Sequence, residues 1–233
     1  VTGVQTCALP IWFGEDLPIA PGWSMTAFEP SSLWNDALVL IDIRGFRIFN
    51  INDAGINARI ARHVGRVDVL AVQFSAGVSG YPWTWTHLTA ERKVEISAQM
   101  CAGKLALIRE AAQMYGASSV LPCASHFTLW RPEHLPHAAM MRRNSLADVV
   151  QAMEGSATQV IDLLPGDVWD VGRAAIRREH DTVGAPDHAA FGQLFALQYP
   201  HDRTLTEEAL LAYLMRDRKS TRLNSSHGYI SYA

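Results

Sequence analysis

Residues 33–74 read LWNDALVLIDIRGFRIFNINDAGINARIARHVGRVDVLAVQF, and the punctuation of this stretch decides the fold. LWNDALVLIDI is rich in Val, Ile and Leu, the composition of a strand. Arg44-Gly45 supplies a tight turn, and FRIFNIN then alternates, with Phe46 and Ile48 on one face and a second apolar set on the other. Asp53 to Asn57 breaks the alternation. A short helix over Ala58 to Val64 leads through Gly65 into VDVLAVQF, residues 67–74, whose nearly continuous apolar run marks a strand buried on both faces. A hairpin followed by a helix and another strand predicts an α/β fold with a mixed sheet and flanking helices.

The pattern continues outward. SAGVSGYPWTWTH, residues 75–87, is a loop by its glycines, proline and serines, yet it carries Tyr81, Trp83 and Trp85. Thr89 is an N-cap with Glu91 in the first turn of a long helix. Cys101, Leu105, Ile108, Ala112 and Tyr115 form one buried stripe along it, and Gly116 stands where a helix ends. SSVLPCA, residues 118–124, is the next strand, with Ser125-His126-Phe127 just past its end. Trp130 to Pro132 is a turn, followed by helical patterns over 133–143 and 146–153 and a strand over 160–164 closed by Pro165-Gly166-Asp167 and Trp169. From Gly172 the periodicity weakens, with helices expected near 189–197 and 207–215. There is no internal repeat.

The two ends have a different character. VTGVQTCALPI, residues 1–11, resembles the in-frame translation of a sequencing-library adapter, and DRKSTRLNSSHGYISYA, residues 217–233, resembles the opposite strand. The expected natural portion is therefore 12–216, an insert cut at both ends: a domain over 12–171, then a truncated helical extension over 172–216. The first segment has neither the basic region nor the apolar run of a signal peptide. Three of the 20 basic and one of the 23 acidic residues lie in the tail, which leaves 17 against 22, a formal charge of −5. That balance disfavours a nucleic-acid partner. Cys101 and Cys123, the cysteines outside the first segment, are too few for a disulfide framework and point to a reducing, cytoplasmic compartment. No apolar run approaches the roughly 20 residues of a membrane helix.

Chemistry concentrates at two strand ends. Asp53 follows FRIFNIN and His126 follows VLPCAS, and strand ends are where α/β proteins gather functional groups. A carboxylate and an imidazole suit a divalent metal such as zinc. Each also has a plainer reading: Asp53 as the cap of the following helix, His126 as a core histidine bonded to a carbonyl.

The order of elements and the motifs Asn52-Asp53, QFSAGVSGYPW, Pro122-Cys-Ala-Ser-His126 and DLLPGDVW together resemble the metallo-β-lactamase superfamily over residues 17–169. Within it, NDAG, QFSAGVSGYPW and SHF in series are most similar to the branch containing the CMP-N-acetylneuraminate hydroxylase metal domain. The resemblance implies a divalent metal centre, zinc or iron and dinuclear. Asp53 would bridge the metals and His126 would complete the second site. A metal-activated water would act on a small-molecule ester, lactone or phosphodiester. Ser79 and Gly80 of the loop would let substrate approach the backbone. Trp83 reads as a substrate platform or as loop packing, and His87 as a proton donor to a leaving group or as a surface residue. The superfamily's His-x-His-x-Asp-His array is absent, although the chain has nine histidines. The expectation is thus the second half of an αββα sandwich whose missing partner is the N-terminal half of its own domain. On that expectation the chain alone binds metal poorly, catalyses nothing measurable and exposes strand edges. Alternatives within the same resemblance are a di-iron oxygenase served by a Rieske domain and a metal-free binding module.

Overall fold

A computed structural model of the chain describes residues 13–30, 36–75, 81–83, 85–125, 136, 140–164, 166–179 and 193. The chain divides into two compact units, one of residues 1–76, 99–126 and 143–180 and the other of residues 77–98, 127–142 and 181–233.

The first unit holds a seven-stranded mixed sheet in the order β1 to β7. Its elements are β1 (Asp16–Ala20), β2 (Trp23–Phe28), β3 (Leu38–Ile43), β4 (Phe46–Asn52), α1 (Ala61–Val64), β5 (Val69–Gln73), most of α2 (Ala90–Met114), β6 (Ser119–Cys123), α3 (Leu146–Ala152) and β7 (Gln159–Val160). The four N-terminal strands form an antiparallel meander, and β4, β5, β6 and β7 are parallel neighbours. The expected mixed α/β sheet with flanking helices is therefore the observed fold.

Local chemistry explains the hairpin. Arg44 and Gly45 both have positive φ, 54° and 89°, as a two-residue turn matched to the twist of its strands requires. Asp42 Oδ1 accepts from Gly45 N at 2.7 Å and fixes the turn. Register then aligns one row across the sheet: Thr26 opposite Leu40, Leu40 opposite Phe49, Phe49 opposite Leu70, Leu70 opposite Val120, and Val120 opposite Val160. Phe49, Leu70 and Val120 have no exposed surface. They share a core with Ile108, Ala111, Ala112 and Tyr115 of α2 and with Val149 of α3. Phe49 meets Tyr115 edge-on at 4.8 Å, and the Tyr115 hydroxyl donates to Asn57 O and accepts from Asn57 N at 3.1 Å. The buried stripe expected on α2 is the one observed, although Leu105 is only partly covered. Gly116, with φ 51°, closes the helix as Ala117 N returns to Ala112 O at 2.9 Å.

Several elements differ from expectation. β1 and β2 lie in 16–28, a stretch whose Pro, Gly and polar residues hide the alternation. The strand expected over 160–164 pairs only at Gln159–Val160, because Asp167 Oδ2 takes the N–H of Leu164 and draws the chain out of the ladder. Val168–Asp170 and Ala175–Arg177 form a two-stranded hairpin, β8 and β9, which the weakening periodicity concealed. Its Trp169 packs near Phe46, ring centroids 6.5 Å apart. The helix expected over 133–143 lies largely outside the described residues, and 141–145 are not helical. There Asn144 is held in a buried hydrogen-bond network, and Ser145, in extended conformation, begins the capping box of α3 with Asp148. The two terminal segments and the helices expected at 189–197 and 207–215 lie outside the described residues, save position 193. Among the described residues no helix is long and apolar enough to cross a membrane.

In the second unit, the described residues include the turn at 81–83 and the start of α2, where Thr89 Oγ1 accepts from Arg92 N as the expected cap. Lys93 Nζ donates to Trp83 O at 2.9 Å, tying the turn to the helix.

Candidate functional site

The carboxyl ends of β4, β5 and β6 lie side by side, because these strands are parallel neighbours. At the end of β4 the register with β5 shifts between Asn50 and Asn52. Asn52 takes a positive φ of 39°, a region that disfavours side chains other than glycine and that Asn and Asp enter most readily. Its N–H donates to Asn50 Oδ1 at 3.1 Å, and its Nδ2 donates to Asp53 Oδ1 at 2.7 Å. The remaining atom of that amide, Asn52 Oδ1, is buried and has no hydrogen-bond partner among the described residues.

Asp53 itself is exposed, and beyond the Asn52 amide its carboxylate has no hydrogen-bond partner among the described residues. Two neighbours feel its charge. Burial holds the Lys104 ammonium below its ordinary pKa, with the Asp53 carboxylate pulling the other way. Burial and then the same carboxylate push the Cys123 thiol up, so it stays protonated near neutral pH and is a poor nucleophile.

The ends of β5 and β6 are built differently. Ser125 Oγ accepts from Phe74 N at 3.0 Å and from Ser75 N at 2.9 Å, and donates to Cys123 O at 3.2 Å. Asn144 N donates to Ser75 Oγ at 2.9 Å, while its Nδ2 donates to Phe74 O at 2.8 Å and Cys101 O at 2.7 Å. Ser75, Ser125 and Asn144 are all buried. This network fixes the backbone immediately before position 126. Nearby, a cleft of about 170 Å³ is lined by Phe74, Pro122, Leu146, Ile161, Leu163 and Leu164, with Asp162 as its carboxylate. Asp162 is bound to Arg178 at 2.9 Å. Register places Asn52 opposite Val72 and Val72 opposite Pro122, so the cleft begins two strand spacings, roughly 10 Å, from the Asn52 position.

Of the residues singled out in the sequence, His126, Ser79 and Gly80 lie outside the described residues. Trp83 is buried, 3% exposed, and so presents little ring surface to a substrate. His87 is exposed with its ring 5.2 Å from Trp85, which stacks edge-on with Tyr81 at 4.7 Å. Asn52, Lys104, Ser125 and Asn144 were not singled out for these roles. An Asn directly before an Asp at a strand end is the one signal that marks the first of them.

A divalent cation suits this edge in one respect: among the described residues, Asp53 offers a carboxylate oxygen with no partner and Asn52 a buried amide oxygen with none. Among the described residues no group of three His, Cys, Asp or Glu side chains is placed to hold a metal.

No family model matches the sequence, and no curated protein matches it. Solved structures that are similar in part include the following two. The metallo-β-lactamase fold protein YhfI from Bacillus subtilis is 12% identical, with a TM-score of 0.35, over 63% of this chain and 48% of that one. A Thermotoga maritima protein assigned as a Zn-dependent hydrolase of the metallo-β-lactamase superfamily is 10% identical, with a TM-score of 0.37, over 60% of this chain and 63% of that one. The chain thus spans between about half and just under two thirds of the structures it matches.

Proposed function

We propose that the chain carries part of the active site of a metal-dependent hydrolase of the metallo-β-lactamase superfamily, acting on a small ester, lactone or phosphodiester. The observation that carries this reading is Asp53: an exposed carboxylate just past the carboxyl end of the first parallel-paired strand, bound on one oxygen by the Asn52 amide and with no other hydrogen bond among the described residues. The sequence motifs quoted above support the same assignment, with His126 as the second ligand.

A divalent metal, zinc or iron, supplies Lewis acidity and a water of lowered pKa when bound. Asp53 would hold it, and the Asn52 amide would keep the carboxylate aimed. The Lys104 ammonium near Asp53 would draw an anionic substrate group toward the edge. The Ser125 and Asn144 network would hold the end of β6 rigid through its buried hydrogen bonds. The apolar cleft accommodates a small hydrocarbon substituent, being comparable in volume to an apolar cavity of about 150 Å³ that takes benzene.

The test is metal loading followed by turnover. The chain, and the longest reading frame that contains it, are dialysed against zinc or iron(II) and assayed with p-nitrophenyl acetate, a γ-lactone and bis-p-nitrophenyl phosphate. Hydrolysis that requires metal and is lost in Asp53→Asn is the expected result for the longer frame. Metal-independent turnover, or turnover untouched by Asp53→Asn, overturns the reading. An iron-dependent hydroxylated product in place of hydrolysis would identify an oxygenase.

A further inference from the structure

We infer that the cleft beside Phe74 and Ile161 is a binding site for a small organic cation, a primary ammonium carried on an apolar body the size of benzene. The cleft begins two strand spacings, roughly 10 Å, from Asn52, and its occupancy requires no metal at Asp53.

Size and lining suit the apolar body. The volume is about 170 Å³, against about 150 Å³ for an apolar cavity that takes benzene. Phe74, Pro122, Leu146, Ile161, Leu163 and Leu164 form the walls. Hydrogen bonds hold both sides in place. On one side Phe74 N donates to Ser125 Oγ and Phe74 O accepts from Asn144 Nδ2. On the other, Ile161 N donates to Val120 O at 2.8 Å and Leu164 N to Asp167 Oδ2 at 3.0 Å. A cleft fixed in this way asks little reorganisation of itself when a ligand enters.

Charge decides what the apolar body carries. Asp162 is the carboxylate of the lining, and its side chain is 42% exposed. Its Oδ2 accepts from Arg178 Nη2 at 2.9 Å, and among the described residues Oδ1 has no hydrogen-bond partner. The guanidinium does not neutralise it. Arg178 Nη1 is bound at 2.6 Å to Asp167, whose side chain has no exposed surface. The backbone N–H groups of Leu164 and Glu179, with Arg178, hold the Asp167 pKa below the usual carboxylate value, so Asp167 is ionised at neutral pH. One positive charge thus serves two carboxylates, and the excess negative charge falls on the exposed one, Asp162. An anion in the cleft meets that charge unfavourably, and a neutral ligand gains little from it. An ammonium is attracted and finds an acceptor in Oδ1. Such a ligand needs one carboxylate beside an apolar wall, not a set of ligating side chains.

The experiment is saturation-transfer NMR on the full chain, without metal, at neutral pH, with benzylammonium, benzyl alcohol and benzoate as probes. Benzylammonium is expected to bind about 3- to 5-fold more tightly than benzyl alcohol, the effect of one ion pair at a part-exposed site, and benzoate to bind most weakly. Asp162→Asn should remove the preference for the ammonium while leaving benzyl alcohol bound as before, since Asp167 still holds Arg178. Leu146→Trp, which fills the cleft from a part-exposed position, should weaken all three probes, with Leu163→Phe as a second filler and thermal unfolding to confirm that each variant is folded. Benzoate bound as tightly as benzylammonium, a preference that survives Asp162→Asn, binding untouched by both fillers, or no binding by wild type overturns the inference. Hydrolysis by the longer reading frame is a separate result: its failure leaves cation binding unchanged, and failure of cation binding leaves the Asp53 reading standing.

Discussion

Two adjacent strand ends in one sheet treat their polar atoms in opposite ways. Past β5 and β6, Ser75, Ser125 and Asn144 are buried and mutually paired, so the loops there are cross-linked by hydrogen bonds. At the end of β4, among the described residues, Asn52 keeps a buried oxygen with no partner, and exposed Asp53 has no hydrogen-bond partner beyond the Asn52 amide. Since buried polar groups are almost always paired, the first arrangement is what folding produces unaided and the second requires another reason. The difference sets a strand end fixed by its own hydrogen bonds beside one that fits the ligand-facing role proposed for Asp53.

The sharpest way to break that contrast is to unpair the satisfied end. Asn144→Ala removes the donor shared by Phe74 O and Cys101 O, inside a core that water does not reach. A loss of about 2–4 kcal/mol in urea unfolding is expected for two buried bonds of this kind. A loss below about 1 kcal/mol would mean that relaxation re-pairs the carbonyls and that the two ends differ less than they look. Ser125→Ala comes next. It deprives Phe74 N and Ser75 N of their acceptor, at an expected cost of about 1–3 kcal/mol, the usual penalty for stranded buried donors. Both variants should also slow hydrogen exchange less at these amides than wild type does, since their protection comes from this network.

How much of this was legible beforehand follows from which interactions are local. The β3–β4 hairpin was readable because Arg44-Gly45 sets the turn within two residues and the alternation on either side is uninterrupted. The α2 stripe was readable for the same reason, its 3.6-residue period running unbroken from Cys101 to Tyr115. β1 and β2 were not, since Pro18, Pro21, Gly22 and Ser24 interrupt any period and pairing with β3 is what makes them strands. The site divides similarly. Asp53 was visible as an acidic residue at a strand end. Asn144 was not, because its partners are 43 and 70 residues away in sequence. The orphaned oxygen of Asn52 was invisible in principle, since the lack of a partner is a property of the fold and not of the residue.

A second pair, two carboxylates, sharpens the contrast with the smallest effects. Asp167 is as thoroughly satisfied as Asp53 is not. Its side chain has no exposed surface, Leu164 N and Glu179 N donate to it at 3.0 Å, and Arg178 binds it at 2.6 Å. The two backbone N–H groups, more than the guanidinium, hold its pKa below the usual carboxylate value. The unfolded chain therefore takes up the proton at higher pH than the folded one. The stability that Asp167 contributes is complete above the ordinary carboxylate pKa and is lost as pH falls through the lower folded value. Asp167→Asn should accordingly be less stable than wild type at neutral pH, because Leu164 N and Glu179 N donate to different carboxylate oxygens and the amide nitrogen that replaces one of them opposes its donor. Measured by urea unfolding from pH 7 downward, the gap should narrow below about pH 4, where wild type loses the same charge. A gap that stays constant across that range would assign the effect to packing and not to the ionised carboxylate. Asp53→Asn, by contrast, removes an exposed group with one hydrogen bond among the described residues and should change stability at pH 7 by no more than about 0.5 kcal/mol. A large loss there would make Asp53 a structural carboxylate like Asp167, and the ligand-facing role proposed for the β4 end would go with it.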